Sequence, residues 1–163
     1  MTAPATAGVL TTHAPAETRA LGAALGRAAR PGTVLALIGG LGAGKTQLAK
    51  GVAEGLGVRS VVNSPTFVLM NEHQGRLRLF HIDAYRLDDP EEALAAGLLD
   101  ERGIEGVTVV EWADRLDGWL PEDRLDIEIG FPPGTDDDEL RTISWRVHGG
   151  DHAALAARLR GPA

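Results

Sequence analysis

A chain of 163 residues suits one domain with room for a sizeable core. Its formal charge of −7, from 16 Lys and Arg against 23 Asp and Glu, argues against a broad basic face that holds RNA unaided, so any nucleic acid is expected on a partner. The lack of cysteine excludes a disulfide framework, a thiolate nucleophile and a Cys-based zinc site, and no apolar run approaches membrane-spanning length, so a cytoplasmic protein without membrane contact is expected.

Residues 1–8 are small and lack the basic start and long apolar core of a signal peptide. They read as a loose tail before a single domain over 9–163. Val9-Leu10-Thr11-Thr12 reads as a short edge strand, and Pro15 to about Ala29 as a helix with Leu21 and Leu25 facing inward, stopped by Arg30-Pro31-Gly32.

Val34-Leu35-Ala36-Leu37-Ile38 is a continuous apolar run, as a strand buried on both faces of a parallel sheet would be. It leads into Gly39-Gly40-Leu41-Gly42-Ala43-Gly44-Lys45-Thr46, which fits the phosphate-binding pattern G-x-x-x-x-G-K-[ST] at every defined position. Leu48, Val52 and Leu56 then recur every four residues, so a helix opens at about Lys45 and stops near Gly55 or Gly57. In such a turn successive backbone N–H groups face inward onto phosphate oxygens and the helix adds its positive end. Lys45 is expected to reach the β- and γ-phosphates and the Thr46 hydroxyl to coordinate Mg²⁺. The expected phosphate contacts are Gly39, Gly42, Ala43, Gly44, Lys45, Thr46 and Gln47. Thr11, Thr12 and Glu17, upstream, either line the adenine side or serve as turn and cap residues.

Beyond that helix, Val61-Val62-Asn63 leads into Ser64-Pro65-Thr66-Phe67 and the apolar Val68-Leu69-Met70. Pro65 forces an extended turn, and hydroxyls on a stiff loop are what a γ-phosphate-sensing switch requires. Side-chain to backbone turn bonds at Ser64 and Thr66 are the alternative. Gln74-Gly75 reads as the turn of a hairpin into Arg76–Ile82, whose alternation of Arg76 and Arg78 with Leu77 and Leu79 predicts a partly solvated face. Asp83 closes that strand. Asp89-Pro90-Glu91-Glu92 opens a predicted helix running to about Ala96.

Val107-Thr108-Val109-Val110 is the second strongly apolar run, and it ends in Glu111-Trp112. An acid at the exit of a buried strand is the arrangement that holds the hydrated Mg²⁺ of a phosphate-loop site. Of the two candidates, Glu111 is preferred for the metal because its strand should lie beside the Val34–Ile38 strand. Asp83 then orients the attacking water or the switch loop. Trp112, adjoining Glu111, is expected to border the nucleotide, while Trp119 and Trp145 are expected in the core.

Leu125, Ile127, Ile129 and Phe131 alternate with polar residues, as do Ile143, Trp145 and Val147, which predicts an antiparallel hairpin with Pro132–Glu139 as its acidic loop. Asp151 is expected to cap a last short helix with Ala154, Leu155 and Leu159 on one side. His148 and His152 are separated by Gly149-Gly150 and need not share a helical face, which disfavours a transition-metal site.

GTP is disfavoured because no Asn-Lys-x-Asp segment exists, and Asp100-Glu101-Arg102-Gly103 follows a helical stretch rather than a strand. A small-molecule kinase should carry a mobile arginine-rich lid, and no such insert is visible. Taken in order, Gly-x-Leu-Gly-Ala-Gly-Lys-Thr, Ser64-Pro65-Thr66-Phe67, His81-Ile82-Asp83-Ala84-Tyr85-Arg86-Leu87 and Val110-Glu111-Trp112-Ala113-Asp114-Arg115 resemble the TsaE (YjeE) family over roughly residues 9 to 160. The resemblance implies an α/β, P-loop NTPase-like fold with a mostly parallel central sheet flanked by helices, plus antiparallel hairpins. It implies an ATPase that uses ATP and Mg²⁺, joins TsaB and TsaD, and supports N6-threonylcarbamoyl modification of the adenosine beside the tRNA anticodon. The tRNA is met only through that complex.

By matching position the resemblance assigns Lys45 and the loop glycines to phosphate, Thr46 and Glu111 to Mg²⁺, Thr66 to the switch and Asp83 to hydrolysis. Gly40 stands where the family commonly has Asp, and Ala113-Asp114 where Pro-Glu is frequent. The first departure should spare ATP binding, and the second concerns the contact surface. No arginine finger is identifiable, so weak activity alone, completed by partners, is expected. The readings it displaces are a metabolite kinase and a nucleotide-dependent binding switch with negligible turnover.

Overall fold

A computed structural model of the chain describes residues 6–63, 70–87, 91, 105–116 and 118–160. These residues form one seven-stranded sheet with α-helices: β1 (Ala7–Thr12), α1 (Pro15–Ala28), β2 (Val34–Ile38), α2 (Lys45–Gly55), β3 (Met70–His73), β4 (Leu79–Asp83), β5 (Val107–Glu111), β6 (Arg124–Gly130), β7 (Arg141–His148) and α3 (Ala153–Ala156). The strand order is β1-β7-β6-β2-β5-β4-β3. The central four, β6-β2-β5-β4, are parallel, and the antiparallel β7 and β3 flank them. The expected mostly parallel α/β sheet with antiparallel hairpins is therefore the observed one.

Both apolar runs lie at its centre. β2 and β5 pair in parallel with Leu37 opposite Glu111, which puts the acid-terminated strand next to the phosphate-loop strand, as its composition predicts. Leu35, Leu37, Val107, Val109, Leu125 and Ile127 form the floor of the main core under Leu25, Leu48, Val52 and Leu56 of the α1–α2 side. On the opposite face Ala36, Ile82 and Val110 pack with Leu87, Ala113 and Leu116.

The two helices approach closely because each carries a glycine pair four residues apart. A Cβ at Gly22 or Gly26 of α1 would press into the carbonyl oxygens of Leu48 and Val52, and one at Gly51 or Gly55 of α2 into those of Arg19 and Ala23. Arg76 ties down the end of α1: its guanidinium donates to the carbonyls of Gly26 and Ala29, both at 2.9 Å, satisfying acceptors that the helix leaves open.

Several expectations change. β1 begins at Ala7, inside the predicted tail, because pairing with β7 continues that far; Gly8 admits the indole of Trp145 where a Cβ would collide with it. In the Arg76–Ile82 segment Arg76 and Arg78 are exposed, as expected, but the strand itself has no solvated face. Its strand starts at Leu79, and Leu79, Phe80, His81 and Ile82 are all buried, since β4 lies inside the sheet between β5 and β3. Phe131 lies past the end of β6 and is 56% exposed rather than continuing the inward face. Trp145 is buried, but Trp119 is not a core residue, lying in the exposed turn after Leu116. Asp151 does not cap α3: His152 occupies that position without a side-chain cap bond, and Ala154 is exposed while Leu155 and Leu159 are buried.

The Ser64–Leu69 switch segment, including Thr66, lies outside the described residues, as do the helix predicted from Asp89 to Ala96, of which only Glu91 is described, and Asp100–Gly103. His148 and His152 do not converge: His148 Nε2 is 2.7 Å from the Asp126 carboxylate, and His152 Nε2 accepts the Val34 N–H at 2.9 Å.

Candidate functional site

The carboxyl ends of β2, β5 and β4 meet at one edge of the sheet, where α/β proteins of this kind place their ligands. From Ile38 the chain turns through residues 39–44 into α2. Gly42 and Gly44 adopt φ of 76° and 115°, a region that L side chains enter only with strain. Gly39 is small for another reason: a Cβ there would sit 2.5 Å from the Ile129 carbonyl oxygen, so β6 backs the turn. Gly40 has open space around it, where an added Cβ would meet nothing within 4 Å.

Lys45 opens α2 and is only 4% exposed. Its Nζ donates to the carbonyls of Gly39 at 2.6 Å and Gly40 at 2.7 Å, and lies 3.9 Å from the centre of the Trp112 ring. Burial lowers the ammonium pKa, opposed by the carboxylates of Glu111, Asp83 and Asp114. Thr46, next on the helix, donates its hydroxyl to Glu111 Oε1 at 2.8 Å. Glu111, 2% exposed, receives His81 Nε2 on its other oxygen at 2.5 Å. Asp83 is in direct register with Glu111 across the β4–β5 pair, and its Oδ1 accepts the Tyr85 N–H at 2.9 Å. Burial raises the Asp83 pKa; the Tyr85 bond opposes the rise and the Glu111 charge adds to it.

Trp112 has φ of 59°, the one positive value outside glycine among the described residues. A left-handed non-glycine residue costs about 1–3 kcal/mol and persists only where its surroundings fix it. Here the ring is fixed between the Lys45 ammonium and the Tyr85 ring, whose centre is 4.7 Å away, with the Arg115 guanidinium 5.8 Å off.

The fold thus brings together Lys45, Thr46, Asp83, Glu111 and Trp112 with the glycine-rich turn. Ala43 is buried in that turn and Gln47 half-buried one residue after Thr46. Thr11 is different: it is exposed at the end of β1 and pairs with Thr142. Its neighbour Thr12 is the buried one, sharing a 2.8 Å hydrogen bond with Thr18 of α1.

Two residues at the site escaped the sequence reading as functional. His81 sat within a quoted motif without a role, because nothing local shows that its ring meets Glu111, 30 positions away. Arg141, 98 positions from Ala43, donates Nε to the Ala43 carbonyl at 2.9 Å and reaches the Gly42 carbonyl at 3.3 Å, while its guanidinium lies 4.3 Å from the Phe131 ring centre. An arginine beginning an alternating strand carries no local signal of such a contact.

A Mg²⁺ ion fits this donor set. Thr46 and Glu111 offer hard oxygens within 2.8 Å of each other beside a phosphate-loop turn, and among the described residues no cluster of three or more His, Cys, Asp or Glu forms a full cage. Mg²⁺ typically takes one or two protein oxygens and completes its shell with water and phosphate. Among the described residues no helix is long and apolar enough to cross a membrane.

The sequence model of the family "Threonylcarbamoyl adenosine biosynthesis protein TsaE" matches residues 12–136. The tRNA threonylcarbamoyladenosine biosynthesis protein TsaE of Bacillus subtilis is 43% identical over 146 residues, covering 89% of each chain. The protein of the same name from Streptomyces coelicolor is 41% identical over 129 residues, 77% of this chain and 87% of that one. Among solved structures, the crystal structure of Bacillus subtilis YdiB superposes with a TM-score of 0.77 at 36% identity over 94% of both chains.

Proposed function

The chain belongs to the TsaE family, and from that premise we propose that it is the Mg²⁺-dependent ATPase of tRNA threonylcarbamoyladenosine biosynthesis, acting with TsaB and TsaD in the cytoplasm. The role in that biosynthesis follows from the family. The ATPase reading is carried by one observation: the Thr46 hydroxyl at the start of the phosphate-loop helix meets the Glu111 carboxylate at the exit of the adjacent buried strand.

In this reading the backbone N–H groups of the glycine-rich turn and the N-terminal end of α2 receive the phosphate oxygens. Lys45 exchanges the carbonyls of Gly39 and Gly40 for the β- and γ-phosphates. Mg²⁺, held by Thr46 and Glu111, supplies neutralisation of charge developing on the phosphate oxygens. Asp83, beside Glu111 on the same sheet edge, orients the attacking water by accepting a hydrogen bond from it. Thr66 belongs to the segment that senses the γ-phosphate. Trp112 borders the nucleotide, keeping water from the side of Lys45 that its ring covers. TsaB and TsaD complete the site, which accounts for the lack of an identifiable arginine finger in the sequence. The tRNA then sits on those partners, consistent with a net charge of −7.

Phosphate release from Mg²⁺-ATP, measured for the chain alone and with TsaB and TsaD, tests this. Slow release alone, stimulated by the pair and lost in Lys45→Ala, is expected. The absence of both stimulation and nucleotide-dependent association with the pair would overturn it.

A further inference from the structure

We propose that His81 is a positioning residue for the metal-binding carboxylate: it holds Glu111 so that Oε1 alone is presented to Thr46 and the cation. The proposal rests on reading this site as a Mg²⁺–nucleotide site.

His81 lies in the middle of β4 with no exposed surface, paired with Val109, two residues before Glu111 on the same face of the sheet. Its sequence neighbours Phe80 and Ile82 are buried and apolar, and on its own face of the strand it lies between Leu79 and Asp83. An apolar side chain would suit this position at least as well for packing. The imidazole is instead kept with Nδ1 buried and without a hydrogen-bond partner among the described residues. An unsatisfied buried polar atom costs about 1–3 kcal/mol. Among the described residues, the polar contact that offsets this cost is Nε2 to Glu111 Oε2 at 2.5 Å.

That contact has a geometric effect. A carboxylate free to turn about its last bond presents either oxygen to a cation. With Oε2 tied to the ring and Oε1 receiving the Thr46 hydroxyl, the carboxylate plane is set from both ends. A cation entering beside Thr46 then meets a preset oxygen. Outer groups that orient ligands in this way typically change metal affinity or activity by about 10–100-fold when removed.

Three substitutions separate positioning from mere filling. His81→Gln places an amide N–H near the position of Nε2, His81→Asn is too short to reach Oε2, and His81→Leu fills the space without a donor. Mn²⁺ binding, followed by electron paramagnetic resonance with a non-hydrolysable ATP analogue present, should weaken about tenfold or more in His81→Asn and His81→Leu and stay within about threefold in His81→Gln. Analogue binding in EDTA should be the same in all four proteins. The Mg²⁺ concentration for half-maximal phosphate release should shift in parallel, with KM for ATP at saturating Mg²⁺ unchanged. Wild-type Mn²⁺ affinity in His81→Asn, or equal losses in His81→Asn and His81→Gln, would overturn the positioning role while leaving the ATPase reading intact. Absence of metal-dependent analogue binding in the wild type would instead remove the reading on which it rests. The Gln–Asn comparison decides the question even if the leucine variant does not fold.

Discussion

Thr46 Oγ1 and Glu111 Oε1 lie 2.8 Å apart although 65 positions separate them in the chain. The contact joins the phosphate-loop helix to the neighbouring strand at the point where a cation would be shared. Glu111→Gln keeps the shape of the side chain and removes its charge. Phosphate release in the presence of the partner proteins should fall by about a hundredfold or more, the order seen when one preorganised electrostatic group is lost from an active site. The thermal midpoint should change little, so a variant equally folded and equally active would exclude Glu111 from the reaction.

Arg141 holds the phosphate loop from behind through the carbonyls of Ala43 and Gly42. Lysine preserves the charge at this position but not the planar fork that reaches two carbonyls. Arg141→Lys should therefore weaken ATP-analogue binding by about tenfold, the equivalent of one charge-assisted hydrogen bond, measured by calorimetric titration. Unchanged affinity would mean that the loop holds its shape without the guanidinium.

The α1–α2 contact and the phosphate loop should respond oppositely to side chains on glycine. Gly51→Ala drives a methyl into the Arg19 carbonyl, backbone against backbone, and should destabilise the protein by about 1–3 kcal/mol in urea unfolding. At Gly40 an added Cβ meets nothing within 4 Å, and Gly40→Asp should leave the unfolding midpoint close to wild type. A reversed order would show that the helices yield more readily than their close approach implies.

His152 makes stability depend on pH. Burial lowers its pKa below the ordinary 6.5, against the pull of Asp123 and Asp151, and its unprotonated Nε2 accepts the Val34 N–H. With the folded pKa below the unfolded one, the unfolded chain binds the proton more readily. The stabilisation is thus complete above about pH 6.5 and is lost as the pH falls through the folded value. His73, lowered by burial and then by His81, acts in the same direction. The urea midpoint should drop between pH 7.5 and pH 5.5, and His152→Gln should flatten part of that slope. An identical slope in the variant would assign the dependence to other groups.

Much of this was legible in the residues. Val34–Ile38 and Val107–Val110 identify themselves as central strands because burial on both faces leaves an almost wholly apolar run, and the glycine-rich turn between strand and helix is recognisable as a phosphate-loop pattern through its flanks. Alternation misled where the neighbours of a strand mattered. The arginines at 76 and 78 are exposed, as their alternation suggested, yet the strand begins after them and Arg76 closes the end of α1. Phe131 continued the period of β6 by one residue beyond the strand's last ladder partner, Gly130 opposite Thr142.

The class of fold, the glycine-rich loop, the two acidic strand ends and the family can be read without coordinates, because each is written in a local pattern or in a fixed order of short motifs. The sharing of Glu111 by Thr46 and His81, the register of Asp83 beside it and the backing of the loop by Arg141 emerge from the folded sheet. Those relations depend on the order of strands across the sheet. Hydrogen bonds between residues far apart in sequence arise from that order, and no local period records it.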